Sequence, residues 1–532
     1  MKTWVPLSFP IALILLGFSR SVEAVPYSNL KVGKVAISSK NVFDASQRSL
    51  FLYRWANAIH IVTRSNWIRR ELLFKEGDIY DLDLLRESER NLRQYKFLRR
   101  VSIIPSPPRN GTVDVTVYTY DAWTLELQLD FKRVGGNNNW NVGIVERNFL
   151  GSGKLVGLVY KRDSTGIDKS LTYRDPQFLG KRLSLSLDAN RHTNGYRYGG
   201  SLARPFYATI APFSVGGSGF VEQRKLPFYS SGSLVGNFRK THRELSFGLG
   251  KSLFPSTERT RQVGLTFRHQ TDKFDQLEGS TPGLEPSVDG FGLLQPGVGW
   301  QEIRFIKERH IEKFDRDEDF NLGPTFAAKM GIGPRWLGSA QTQLFPEVSA
   351  QAGYSWDQGH FTLMRGEYSA GFSGREKSNV LWRGSAQYYN QSLPRQTLAA
   401  SAAYDHGSHL DPDRILLLGE DNGLRGYSIG QFAGEKRFLA NLEDRIYIVD
   451  DLFHLVSLGG VVFFDSGYAW PAGGNFQIED LRSSVGIGLR IAFSRSTQNE
   501  PIRIDLAYTL RDNRQGKRLV LAIQAGKGFG TP

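Results

Sequence analysis

Thr124-Leu125-Glu126-Leu127-Gln128-Leu129-Asp130-Phe131-Lys132-Arg133 alternates apolar and polar side chains without a break. Successive side chains of a strand point to opposite faces, so one face of this segment is dry and the other wet, over a length that suits a tilted bilayer crossing. The pattern recurs. Leu183, Leu185, Leu187 and Ala189 oppose Ser184, Ser186, Asp188 and Asn190, while Val485, Ile487, Leu489, Ile491 and Phe493 oppose Gly486, Gly488, Arg490 and Ala492. Ile502 to Leu510 and Leu519 to Phe529 repeat it. No helical period interrupts the chain after Trp123, so no helix is available to cover the dry faces. A soluble all-β chain of that size would break into packed sandwiches, whereas aromatic residues near strand ends and connections alternating short and long suit a lipid-facing barrel. At about 25 residues per strand and connection the segment holds roughly sixteen strands, an allowed even number. The fold expected is mostly β: a sixteen-stranded transmembrane antiparallel barrel over residues 122–532, preceded by a small α+β domain.

Composition agrees. Among 532 residues there are 56 Gly, 12% aromatics, three Met and no Cys. Zero cysteine excludes a disulfide scaffold, a thiolate zinc site, a thiol nucleophile and a lipoprotein anchor. The net charge of +14 is spread along the chain, with no basic block interleaved with aromatics, so the partner it suggests is an anionic membrane surface and no nucleic acid. No run of ~18 apolar residues follows the N-terminus, which argues against a membrane helix and leaves a barrel open.

Residues 1–24 read as a secretory signal: Lys2, then the apolar Val5 to Phe18, then Val22-Glu23-Ala24 as a small-residue cleavage site. The α+β segment follows, residues 25–121. Ala58 to Thr63 reads as a strand and Asn66 to Phe74 as a helix ended by Gly77-Asp78. Asp81 caps a second helix with Leu85, Ser88, Leu92 and Tyr95 on one face and Glu89 with Arg93 outside. Val101 to Ile104 and Val113 to Tyr118 read as strands, giving the order β-α-α-β-β.

That order, with Asn91-Leu92-Arg93-Gln94-Tyr95-Lys96-Phe97-Leu98-Arg99-Arg100-Val101 inside it, resembles a polypeptide-transport-associated (POTRA) domain. Further on, Gly423-Leu424-Arg425-Gly426-Tyr427 sits in a polar, Gly-rich stretch, Asn441-Leu442-Glu443 opens the next strand and Phe463-Phe464-Asp465-Ser466-Gly467 ends another. Here the sequence resembles the BamA/TamA outer-membrane assembly-factor superfamily, as a short member with one POTRA domain. In that family a [VL]-R-G-[FY] loop tip folds back into the barrel to meet an F-x-D-x-G strand. Asn148 to Gly153 and Asp175 to Gly180 are supporting matches. Strand parity agrees: Phe463, Asp465 and Gly467 share one face and Val462 and Phe464 the other, so Asp465 faces the lumen, as does Glu443 opposite Leu442. Arg425 is the natural cation for one or both carboxylates, beside Gly426 and Tyr427.

The resemblance implies assembly or insertion of other barrel proteins, or translocation of polypeptides, without cofactor, metal or catalytic residue. The partners it implies are unfolded outer-membrane or secreted polypeptide clients, outer-membrane lipids including lipopolysaccharide, and periplasmic chaperones. Its location would be the outer membrane of a Gram-negative-type bacterium, with the POTRA domain in the periplasm. The domain's sheet edge would accept a client strand and the seam between first and last barrel strands would open. Leu125 and Leu127 on the first strand, with Gly526, Gly528 and Phe529 on the last, are the candidate lateral gate, the glycines weakening strand pairing. The single POTRA domain and the Phe529-Gly530-Thr531-Pro532 ending point to a dedicated or accessory role. A two-partner-type secretion translocator and a passive channel are the alternatives.

Other motifs lack the context their chemistry needs. Gly426 to Gly430 spells G-x-S-x-G without the following helix of a nucleophile elbow. Asp315, Asp317 and Asp319 start a calcium-loop pattern that Phe320 and Phe326 break. His406 and His409 have no third ligand nearby, and Gly250-Lys251-Ser252 lacks the upstream glycine of a phosphate loop.

Overall fold

The computed structural model describes residues 30–525 except 45–50, 135–136, 164–165, 231–232, 280–286, 315, 340, 411–413, 429, 472, 498–500 and 512–517. Residues 1–24, and Gly526, Gly528 and Phe529 of the candidate gate, lie outside them.

Strands β1 (Lys31–Lys40), β2 (Leu98–Pro105) and β3 (Thr112–Asp121) form a sheet in the order β1-β3-β2, β1 parallel and β2 antiparallel to the central β3. Helices α1 (Phe51–Ile59), α2 (Ser65–Glu71) and α3 (Leu82–Arg93) lie between β1 and β2 in sequence. Trp67, Ile68, Leu72, Leu85 and Leu92 bury their side chains against Val115 and Val117 of the sheet. The Asp81 carboxylate accepts the N–H groups of Asp83 and Leu84, satisfying two of the donors that begin α3. Ser88, fully buried, donates to the Leu84 carbonyl at 2.7 Å and accepts the Leu73 N–H at 2.9 Å, which ties the start of α3 to the end of α2.

Two sequence readings are corrected here. Ala58 to Thr63 is no strand: α1 runs through Ile59, and the extended residues after it bond to side chains and a turn instead of a neighbouring strand. The Asp121 carboxylate takes the Thr63 N–H at 2.7 Å and the Arg64 N–H goes to the Gly151 carbonyl. The strand that opens the sheet is β1, whose alternation is hidden by an irregularity between Val32 and Val35 that shifts the face of every later residue.

From Leu125–Val134 to Leu519–Ala525 the chain forms one closed antiparallel barrel of twenty strands among the described residues, the last returning to the first. The count of sixteen is therefore corrected. Hairpins such as His192 to Gly195 and Ser373 to Glu376 reverse over two residues, so the repeat is shorter than 25. The outer face is a belt of exposed apolar side chains, Leu127, Leu158, Leu171 and Leu187 on early strands and Val462 and Ile487 on late ones. Such a belt is at home in hydrocarbon and costly in water.

Candidate functional site

The connection between strands Gln396–Ser408 and Lys436–Leu452, on the side away from the small domain, folds into the barrel at Gly423 to Tyr427. Leu424 and Tyr427 are buried against Leu418, Leu439 and Ala469. The Tyr427 hydroxyl donates to the Ser483 carbonyl at 3.1 Å. Arg425 meets Asp465 as a fork: Nε to Oδ2 and Nη2 to Oδ1, each 2.7 Å, with the Arg425 backbone N–H reaching Oδ2 at 3.3 Å. Its Nη1 stands 2.7 Å from Glu443 Oε1 and 3.8 Å from Asp505 Oδ2. The guanidinium lies 3.5 Å above the Phe463 ring centre. Asn441 completes the seat, its amide donating to Asp465 Oδ1 and to the Gly423 carbonyl, both at 2.7 Å.

Gly426 lets the tip fit. It holds φ +85°, and a Cβ there would lie 3.0 Å from Thr509 Cγ2 and 3.1 Å from Ala507 Cβ. Gly426→Ala adds left-handed strain to that crowding, an expected cost of about 1–3 kcal/mol. The loop of folded barrel in vesicles should then be cut by added protease several times faster than in the parent, with barrel mobility on gels unchanged.

The structure brings together Arg425, Gly426, Tyr427, Glu443, Phe463 and Asp465, while Gly467 contributes close packing of the strand on Leu418 and the Phe438 carbonyl. The bounds differ from those read in the sequence. Asn441 to Glu443 lie in the middle of strand Lys436–Leu452, and strand Val456–Trp470 runs on past Gly467. Sequence reasoning missed Asp505, held by Arg490 at 2.5 Å, and Arg445, held by Glu443 at 2.8 Å. Each is a charged residue on the wet parity of an apolar strand, the signal that marked Asp465.

The opposite mouth of the barrel is covered by two parts. One is the small domain. Glu87 of α3 accepts the Thr209 N–H at 2.6 Å and its hydroxyl at 2.7 Å, Arg182 donates to the Leu72 carbonyl, and Asn148 donates to Thr63 at 2.8 Å. The supporting motifs Asn148 to Gly153 and Asp175 to Gly180 are the turns that dock it. Gly153 sits against Trp67, where a Cβ would come within 2.5 Å of the indole, and Gln177 donates to the Trp67 carbonyl at 3.1 Å. Gln177 also reaches Glu71, whose carboxyl burial pushes above its ordinary value.

The second part is a hairpin that sequence reading did not detect, β4 (Phe305–Arg309) and β5 (Asp317–Asn321), between two barrel strands. Its tip lies on the inner wall: Ile311 packs on Phe361, Tyr389 and Ala399, and Phe314 on Tyr447 and Ala492. Buried Glu318 accepts the N–H groups of Ile311, Glu312 and Lys313 at 3.0–3.2 Å, and burial pushes its carboxyl up to about 7. The hairpin and the domain meet where Arg93 of α3 forks onto Asp319 at 2.8 and 2.7 Å, and Arg90 covers the Phe305 ring. Arg316 donates to the Lys96 carbonyl of the domain and the Ser496 carbonyl of the barrel. From the tip the contacts continue inward, since Arg445 donates to the Ile311 carbonyl and pairs with Glu443, which pairs with Arg425. Asp317 and Asp319 are thus engaged by arginines; Asp315 lies outside the described residues.

Residues 349–529 match the Omp85 superfamily domain, and residues 60–119 match POTRA, described as a surface antigen variable number repeat. The chain is 28% identical over 141 residues to the outer membrane protein assembly factor BamA of Neisseria meningitidis serogroup B, a match covering 25% of this chain and 18% of that protein. It therefore spans less than a fifth of that relative's length. Among solved structures, BamA from Haemophilus ducreyi lacking POTRA domains 1-3 aligns at TM-score 0.39 and 14% identity, over 92% of this chain and 83% of that one. CdiB from Acinetobacter baumannii aligns at 0.45 and 13%, over 93% and 72%, and CdiB from Escherichia coli at 0.47 and 12%, over 93% and 75%.

Proposed function

From the Omp85 superfamily match over residues 349–529 and the POTRA match over residues 60–119, we propose that this chain is an Omp85-superfamily protein that handles unfolded polypeptides at the outer membrane, inserting β-barrel clients through its seam. The domain limits proposed are 25–121 and 122–532 behind a signal at 1–24, with the POTRA domain in the periplasm. The observation that carries the reading is that the lumen is occupied from both ends. The Arg425 loop enters it from one side along the wall of strands Lys436–Leu452 to Ile502–Thr509, and the hairpin with the POTRA domain covers the other. A passive channel has no use for such an arrangement. The route left to a client is lateral, between the first and last strands, by main-chain pairing with an exposed strand edge. The loop-lumen contacts act in this reading as a positioning device for the wall beside the seam, and no step requires a cofactor or a catalytic residue.

The test reconstitutes the purified chain in lipid vesicles and offers it an unfolded outer-membrane barrel in one experiment and an exported soluble polypeptide in another. Faster folding of the barrel client, without passage of the exported one, is the expected result. Passage of the exported chain alone would replace insertion by translocation. Ion leakage without either would leave a pore.

A further inference from the structure

Helix α1 has two unlike faces. Tyr53 and Ala56 are buried with Val42, Phe43, Trp123 and Leu455. On the other face Phe51, Trp55 and Ile59, spaced four residues apart, are 73%, 52% and 47% exposed, and Ile61 continues the apolar line beyond the helix at 49%. The helix sits at the rim of the barrel. The Tyr53 hydroxyl donates to the Phe453 carbonyl in the turn after strand Lys436–Leu452, while Thr63, just past the helix, is held by Asn148 in the first turn of the early strands. Between those two anchors lies the closure of last strand on first.

The surroundings of the exposed face point to what covers it. Ile59 and Ile61 share an apolar groove of about 350 Å³ with Leu125, Ile144, Leu158 and Leu150. Leu125 and Leu158 belong to the belt on the barrel's outer face, so the exposed face of α1 continues the hydrocarbon-facing surface of the barrel. Exposed Arg54 follows Tyr53 on the helix, off the line of Phe51, Trp55 and Ile59, and is a cation suited to a headgroup phosphate. We propose that α1 is an interfacial helix, seated in the membrane leaflet next to the POTRA domain beneath the barrel seam, with Phe51, Trp55 and Ile59 among phospholipid acyl chains. An amphipathic helix lying in the interface displaces headgroups and loosens the lipid beside it. Here that lipid borders the strand edges a client would enter. The inference rests on the membrane-embedded barrel of the proposed function and adds to it a lipid-binding surface.

Because the chain has no cysteine, single-cysteine spin labels report cleanly. Phe51→Cys, Trp55→Cys, Ile59→Cys, Arg54→Cys and Leu127→Cys would each be labelled in the full chain, in vesicles of phosphatidylethanolamine and phosphatidylglycerol. Collision with dissolved oxygen is compared with collision with a water-soluble nickel chelate. Positions 51, 55 and 59 should share the oxygen preference of position 127, several-fold above that of position 54. Nickel access at all three equal to that at 54, with 127 still in lipid, overturns the inference and spares the barrel. Spin-spin coupling between copies at these positions would assign the face to a second copy and also overturn it. Nickel access at position 127 would instead count against the barrel reading itself.

Discussion

Arg425→Ala should lower client insertion by at least about tenfold while leaving the barrel closed. The guanidinium serves Asp465 and Glu443 directly and stands near Asp505, all three carboxylates buried on the lumen side. Removing one partner of a buried ion pair leaves uncompensated charge and costs about 3–5 kcal/mol. That cost falls on the loop, which can leave the lumen and let water reach the carboxylates, and not on the strand ladders that close the barrel. The loop tip should become sensitive to protease and the Phe463 ring lose its cation. Arg425→Lys keeps the charge but not the fork that meets both Asp465 oxygens, so intermediate activity is expected. Client-insertion half-times in vesicles, read beside protease cleavage of the loop, check the result; full activity with a released loop would dissociate the loop from function.

Replacing the hairpin Phe305–Asn321 with a short flexible linker should convert a nearly silent protein into a conducting one in planar bilayers. The hairpin occupies the inner wall from Phe361 round to Ala492 and joins the POTRA domain through Arg93 and Asp319. Arg93→Ala should give a smaller, flickering increase, because Arg316 and the Ile311 contacts remain. The seat should also respond to pH. The Glu318 value in the folded chain is about 7 against an ordinary 4.5, so the protonated form favours the seated hairpin. That contribution is fully present below pH 4.5 and lost as pH rises through 7, so leak should increase over this interval. Glu318→Gln should hold the low-pH behaviour throughout. A leak that falls with rising pH would contradict the assignment.

The barrel was legible because lipid on one side and water on the other force period-two alternation, and the same parity marked Glu443 and Asp465 as lumen-facing. The loop at Gly423 to Tyr427 is legible through its resemblance to the family's [VL]-R-G-[FY] tip, and Glu443 and Asp465 as partners for Arg425 through strand parity. Three features were hidden for physical reasons. Strand β1 carries an irregularity that breaks its alternation at Val32 and Val35. Helix α1 ends in an alternating run, Ile59 to Thr63, that copies a strand, although its burial follows Tyr53 and Ala56 at helical spacing. The hairpin β4–β5 is two five-residue strands, rich in charge, whose burial comes from distant walls and from no period of its own. Asp317 and Asp319, which in the sequence form only a broken calcium-loop pattern, pair with Arg309 and Arg93.

Client entry through the seam is tested most directly by a reversible lock. One cysteine in Leu125–Val134 and one in Leu519–Ala525, placed where they cross-link on oxidation, would join first strand to last in a chain otherwise free of cysteine. In vesicles, the oxidised protein should remain folded and fail to accelerate insertion of an unfolded barrel client, and reduction should restore the rate of the unmodified chain. Equal insertion by the oxidised and reduced forms would show that clients do not pass through the seam.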